Sequence, residues 1–241
     1  MCFTVSFEGK AIKAVKEHLK AYPKLKMESE FNDLYYLVSG YTHPKLPVFK
    51  NESVEISEWG LIPSFAANEE KANEIANMTL NARSDTIRQK PSFKNSIIRN
   101  RCILPIDGFY EWQHNGKNKQ PYYIYPADET VFYLGCIFNK WVNKLTGEIR
   151  DTFSIITTDA NPLMAEIHNS KKRMPLILSK NSIETWTDPK TDIALIDILM
   201  QPYSTELMSA YTISGDAGNP SINRNVPEIK KRVDVIGTLF F

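Results

Sequence analysis

The stretch from Cys102 to Thr157 constrains this chain most. It holds five β-rich runs: Cys102–Pro105, Gly108–Gln113, Tyr122–Tyr125, Val131–Phe138 and Asp151–Thr157. Asn115-Gly116 stands between two of them, both aromatic. An Asn-Gly flanked by aromatic or β-branched runs is a strong local signal for a hairpin. A chain with this centre must build an antiparallel sheet. Strands are also expected at Cys2–Phe7, Leu34–Val38, Val54–Leu61, Leu176–Leu178, Met208–Ile213 and Arg232–Ile236.

Helical patterning is short and scattered. Ile12, Val15, Leu19 and Tyr22 share one face of a helix over Lys10–Tyr22, and Pro23 follows its end. Shorter helices are expected at Asn68–Met78, Ser92–Ile98, Pro162–Ile167, Ser182–Trp186 and Ile193–Leu199. No regular alternation of strand and long helix occurs, which argues against a doubly wound parallel sheet. The reading is α+β: a single domain over 1–241 with a curved, barrel-like, mostly antiparallel sheet flanked by short helices.

Composition excludes several classes. The chain has 241 residues, 42% hydrophobic and 24% charged, within the range of ordinary globular proteins. No apolar run approaches the ~18–20 residues of a membrane span. The start lacks the basic and apolar regions of a secretory signal, so a cytoplasmic protein is expected. GxGxxG, GK[ST] and CxxC motifs are missing, so neither a nucleotide cofactor nor a metal is expected. The 29 basic and 28 acidic side chains nearly cancel, but not locally. Arg83, Arg88, Lys90, Lys94, Arg99 and Arg101 face only Asp85 between residues 81 and 101. Lys171, Lys172 and Arg173 follow His168, and Arg224, Lys230, Lys231 and Arg232 lie near the end. Each run is either a solvated surface or an anion-binding patch.

Four features carry possible chemistry. Met1-Cys2 is a small-residue start from which methionine is normally clipped, leaving a 1,2-aminothiol. Such a group condenses with an aldehyde to a Schiff base, and its thiol then closes a thiazolidine ring. Free α-amines and thiols titrate at about 7.7–8.0 and 8.5, within reach of neutrality. A buried Cys2 on a first strand is the competing reading, and Cys102 and Cys136 read as core. Of the histidines, His18, His43 and His114 are expected at the surface. His168 ends a short helix before a basic cluster, as an acid–base group or another surface imidazole. In Gly108-Phe109-Tyr110-Glu111-Trp112, alternation puts Glu111 on the side of Phe109, opposite Tyr110 and Trp112. Aromatic surroundings would desolvate that carboxylate and favour its protonation. Asn81-Ala82-Arg83-Ser84-Asp85 reads as a polar loop after a helix.

Cys2, Trp59-Gly60-Leu61-Ile62-Pro63, the Asn81–Asp85 run, residues 101–112, residues 119–124, Ile167-His168 and residues 173–178 occur in an order that resembles the SOS-response-associated peptidase (SRAP) family. That resemblance implies a sensor of abasic sites in single-stranded DNA, linked covalently to the ring-opened sugar as a thiazolidine. It implies Cys2 as nucleophile, Glu111 as acid/base, His168 as promoter of sugar opening and Asn81 as positioner of the cysteine terminus. Arg83 and Arg173 would contact phosphates, Lys171 and Lys172 would add positive charge, and Trp59 with its turn would shape the DNA groove. Autoproteolytic loss of Met1 and a monomeric state are further expectations. The chain departs from the family in starting Cys2-Phe3-Thr4 rather than Cys-Gly-Arg. The Tyr36–Gly40 segment replaces a Tyr-Asn-x-Ala-Pro pattern, and four residues instead of one separate His168 from Arg173. Three other readings stay open: a cysteine hydrolase using Cys2, His168 and Asn81, a non-covalent single-strand binder that needs no Cys2, and a degenerate family member with a structural role, suggested by Phe3 and Thr4.

Overall fold

In a computed structural model of the chain, the Asn115-Gly116 signal closes the expected hairpin. The structure describes residues 2–22, 26–27, 31, 33–128 and 130–233. Asn115 and Asn118 are the last paired residues, so Gly116 and Lys117 form the turn. Gly116 has φ 61° while Lys117 is not left-handed, which places glycine at the first central position, as in a type II′ turn.

Among the described residues, fourteen strands follow in chain order. They are β1 (Thr4–Phe7), β2 (Lys26–Met27), β3 (Tyr35–Ser39), β4 (Lys45–Phe49), β5 (Ser53–Trp59), β6 (Asn81–Arg83), β7 (Arg101–Ile106), β8 (Gly108–Asn115), β9 (Asn118–Pro126), β10 (Phe132–Val142), β11 (Ile149–Asp159), β12 (Arg173–Pro175), β13 (Ile177–Leu178) and β14 (Met208–Thr212). The α-helices are α1 (Gly9–Ala21), α2 (Glu69–Met78), α3 (Ser96–Arg99), α4 (Pro162–Ile167), α5 (Ile183–Thr187) and α6 (Ile193–Leu199). The helix expected over Ser92–Ile98 shrinks to α3, preceded by turns. Of the strand expected over Arg232–Ile236, Arg232 makes an isolated bridge to Ile213, and 234–236 lie outside the described residues.

Strands β11, β10, β7, β4 and β5 pair in sequence, and β5 returns to β11 in parallel, closing a five-strand barrel. A closed sheet has no exposed edge to manage. Every residue of β7 is buried, because α1, α3 and α5 cover the side turned away from the sheet's other face. The second sheet has the order β14-β9-β8-β1-β3. The fold is therefore α+β with a barrel-like, mostly antiparallel sheet, as the patterning implies.

Two buried polar groups join the sheets and helices. Asp107, between β7 and β8, accepts the backbone N–H groups of Glu8 (2.6 Å), Lys10 (3.0 Å) and Ala11 (3.2 Å). It caps α1 from a distant part of the chain, satisfying donors that no local side chain reaches. Arg101 is fully buried, and its guanidinium donates to the carbonyls of Ile97, Ile98, Trp186 and Asp188. The C-terminal ends of α3 and α5 thus hold a cation through backbone oxygens.

Candidate functional site: a thiol, carboxylate and imidazole beside a basic cleft

Strand β6 brings the first site residues together. The Asn81–Asp85 run, expected as a loop, instead begins with three residues paired in parallel to β11: Asn81 opposite Ile155, Ala82 opposite Ile156 and Arg83 opposite Thr157. The apolar partner strand draws Ala82 into the core, and the period of two leaves Asn81 and Arg83 on the other face. β12 pairs with the same end of β11, with Pro175 opposite Thr157 and Arg173 opposite Asp159. The two segments that flank the chemistry are thus fixed to one strand.

Asn81 reaches the chain start: its Nδ2 donates to the Cys2 carbonyl at 2.9 Å. Its buried Oδ1 has no hydrogen-bond partner among the described residues. Cys2 itself is buried, which pushes its thiol well above its ordinary range, and the nearby Glu111 acts in the same direction. A thiol in this state is a reagent held neutral, not a standing thiolate.

Glu111 sits on β8 as alternation requires, with Phe109 in the main core while Tyr110 and Trp112 pack in a separate aromatic cluster. It is 4% exposed, and burial pushes its carboxyl up to about 7. His168 follows the last residue of α4 and is 5% exposed, so the surface reading of this histidine is overturned. Burial lowers its imidazole to about 4. Its Nδ1 lies 2.8 Å from the Arg173 carbonyl, which assigns the Nδ1 proton to that bond. Nε2 is then the acceptor, 3.9 Å from Glu111 Oε2. Burial thus brings the carboxyl's midpoint close to neutrality and keeps the imidazole neutral there.

A cleft of about 720 Å³ opens beside this pair. Phe3, Tyr41 and Trp112 supply aromatic surface, and Phe3 and Tyr41 lie 5.1 Å apart ring to ring. His114, Lys119, Lys171 and Arg224 supply cationic or protonatable groups from three separate chain segments. Sequence reasoning left Tyr41, Trp112, Lys119 and Arg224 unassigned. Trp112 and Lys119 belong to family-like motifs and Arg224 to a basic run, so the sequence signal was residue type without location.

Trp59 requires a correction. It is fully buried, with its indole N–H on the Leu80 carbonyl at 2.8 Å and its ring against Phe153. Gly60 (φ 129°) folds the chain so tightly that a Cβ would lie 2.7 Å from the His43 ring. The turn after Trp59 is core architecture, and Trp59 itself cannot face a ligand. Arg173 is also buried, donating to the Thr157 carbonyl (2.8 Å) and hydroxyl (3.1 Å). Arg83 is exposed and chelates Asp85, which also lies 4.0 Å from Arg173 Nη1. One carboxylate therefore serves two guanidiniums. Lys171 lines the cleft, whereas Lys172 is exposed outside its lining, with its backbone left-handed at φ 47°. His18, expected at the surface, is half-buried and stacks flat on Phe49 at 4.1 Å, and His43 bonds the Trp59 carbonyl and Asn77. Cys102 and Cys136 are core residues, directly opposite on β7 and β10. Among the described residues no cluster suited to a metal ion occurs, and no helix is long and apolar enough to cross a membrane.

Fold and site together define a β-barrel protein whose first residues, a buried carboxyl–imidazole pair and a basic aromatic cleft meet at one place. The chain belongs to the SOS response associated peptidase (SRAP) family, whose sequence profile matches residues 1–220. It is 34% identical over 214 residues to the abasic site processing protein YoqW of Bacillus subtilis, covering 83% of this chain and 91% of that one. It is 37% identical over 150 residues to the abasic site processing protein HMCES of Gallus gallus, covering 54% and 44%. A crystal structure of a Bacteroides thetaiotaomicron protein superposes with a TM-score of 0.88 at 42% identity, covering 96% of this chain and all of that one.

Proposed function

We propose that this protein senses abasic sites in single-stranded DNA and links to them covalently through Cys2 once Met1 is removed. The observation that carries the reading is the convergence of three things. Asn81 holds the Cys2 carbonyl, Glu111 faces the acceptor nitrogen of a neutral His168, and both line or adjoin a cationic, aromatic cleft. An abasic sugar rests mainly as a closed hemiacetal. His168 Nε2 accepts the proton of the anomeric hydroxyl while protonated Glu111 donates to the ring oxygen, and the chain opens to the aldehyde. The Cys2 amine adds to that carbon and one water leaves, giving an imine. The Cys2 sulfur then adds to the imine carbon, its proton passes to the imine nitrogen through the Glu111 carboxylate, and the thiazolidine closes. The net change is loss of one water.

Asn81 Oδ1, buried and without a partner among the described residues, would receive the Cys2 amine and orient it. Lys119, Lys171 and Arg224 would neutralise phosphates and Trp112 would stack a base. Arg83 would join them by exchanging Asp85 for a phosphate, and Arg173 orients the His168 ring through its carbonyl. We read residues 1–241 as one domain, acting as a monomer in a DNA-associated cytoplasmic setting, with Met1 removal as its own processing step. Intact mass before and after incubation with abasic single-stranded DNA tests the proposal. The expected species is the chain lacking Met1 plus the oligonucleotide minus one water; active protein that retains Met1 refutes it.

A further inference from the structure

The four residues between His168 and Arg173 have a specific anchor. Asn169 Oδ1 accepts the backbone N–H of His114 at 3.0 Å, and Asn169 Nδ2 donates to the His114 carbonyl at 2.9 Å. One side-chain amide thus reproduces a rung of a β-ladder. It does so where β8 has a bare edge, since β1 pairs with β8 only at Phe109 and Gly108. The turn behind Asn169 is closed on itself. The N–H groups of Lys171 and Lys172 both donate to the His168 carbonyl, and left-handed Lys172 returns the chain to β12.

His114 lies three residues beyond Glu111 on β8, and Asn169 is the neighbour of His168. We infer that Asn169 is a positioning residue that sets the separation of Glu111 and His168 by clamping the turn after α4 to strand β8. The inference rests on the function proposed above. At 3.9 Å the two groups are too far apart to bond directly and close enough to reach one substrate oxygen between them. The amide contacts only main chain, so it fixes distance without adding charge. A second tie, Gln113 Nε2 to the Glu166 carbonyl at 3.3 Å, is longer and holds α4 rather than the turn.

The test uses Asn169→Ala and Asn169→Asp in the full chain. The aspartate keeps the acceptor and loses the donor. Three quantities are read: the crosslinking rate against pH at saturating abasic DNA, the affinity for intact single-stranded DNA, and the titration of the Glu111 carboxyl by carbon NMR without DNA. Misplacing reacting groups by an ångström costs up to about a hundredfold in rate, so Asn169→Ala should be slower by roughly 10–100-fold, with Asn169→Asp between it and the parent. Affinity should be unchanged. The Glu111 midpoint should fall from about 7 towards the ordinary carboxylate range as water enters the gap. The titratable groups that act on Glu111 are His168, the Cys2 thiol and the chain's amino group, and the cleft beside it carries His114, Lys119, Lys171 and Arg224. Asn169→Ala alters none of these, and because Asn169→Asp adds a carboxylate the titration is read on Asn169→Ala.

An unmoved Glu111 midpoint in Asn169→Ala overturns the clamp, and so does a parental Asn169→Ala rate where Glu111→Gln is slow. Glu111→Gln in parallel separates the two claims. If it crosslinks at the parental rate, the acid–base assignment fails, while the Glu111 titration of Asn169→Ala still decides the clamp.

Discussion

His168 is held between two oxygens of different kinds: its Nδ1 lies 2.8 Å from the Arg173 carbonyl and its Nε2 lies 3.9 Å from Glu111 Oε2. The carbonyl is a fixed acceptor, so it holds the Nδ1 proton and leaves Nε2 turned toward Glu111. Burial drives both groups towards neutrality, Glu111 upwards and His168 downwards. The order of the two midpoints is thereby inverted, which makes the carboxyl the proton donor and the neutral imidazole the acceptor near neutrality.

Glu111→Gln should slow crosslinking by about 10²–10⁴-fold, the usual contribution of a general acid–base group. The adduct should keep the same mass, because both ring heteroatoms come from Cys2. Time courses resolved by denaturing gel and mass spectrometry would check both points.

The same substitution has a stability signature with a definite sign. Glu111 binds its proton more tightly in the folded state, so its favourable contribution is complete below about pH 4.5 and is lost as pH rises through about 7. Glu111→Gln should therefore be more stable than the parent at pH 8, by at most ~3 kcal/mol, with the gap closing below pH 5. Denaturant melts at three pH values would measure it; a gap that widens on acidification contradicts the assignment. His168 works oppositely: its depressed midpoint contributes stability above about 6.5 that is lost as pH falls towards 4.

Cys2→Ala should form no heat-stable adduct yet bind single-stranded DNA as before. Cys2→Ser should also fail, since oxazolidines hydrolyse readily. Persistent adduct in Cys2→Ala would move the nucleophile to another residue.

Trp112 and Trp59 should separate binding from folding. Trp112 lines the cleft, so Trp112→Ala should weaken DNA binding by about 1–3 kcal/mol while the protein stays folded. Trp59→Ala, at a fully buried site, should cost about 3–5 kcal/mol of folding stability. Fluorescence anisotropy and thermal melts on both variants would expose an exchange of these roles.

Lys171→Ala and Arg83→Ala should each flatten the salt dependence of binding by about 0.7 in the log–log slope for every phosphate left unneutralised. Arg173→Ala should instead lower folding stability, since its guanidinium bonds Thr157 in the interior. Titrations at several salt concentrations would distinguish these; a slope change for Arg173→Ala alone would reverse the assignment.

Local pattern carried a large part of this protein. The aromatic runs around Asn115-Gly116 determined a hairpin, because turn chemistry and period-two alternation act within a few residues. Alternation also decided that Glu111 shares the face of Phe109, opposite Tyr110 and Trp112, while covering both faces of β8 was left to the tertiary packing. The absence of long helical periods determined the α+β class. What tertiary structure alone decided was which motif residues meet and which are merely core. Trp59 sits in a motif that reads as functional, yet closure of β5 onto β11 buries its ring against Phe153. Asn81 and Arg83 became strand residues because β11 offered an unpaired edge far away in the chain. Arg173 and His168 read alike as members of a basic surface run, and docking of β12 on β11 drew both inside. Asn169 carries no signal of its own in the sequence, since its partner is the backbone of His114, and main-chain groups look the same at every position. Spacing along the chain encodes faces and turns, but pairing between distant edges sets distances such as the 3.9 Å between Glu111 and His168, because that gap belongs to two elements at once.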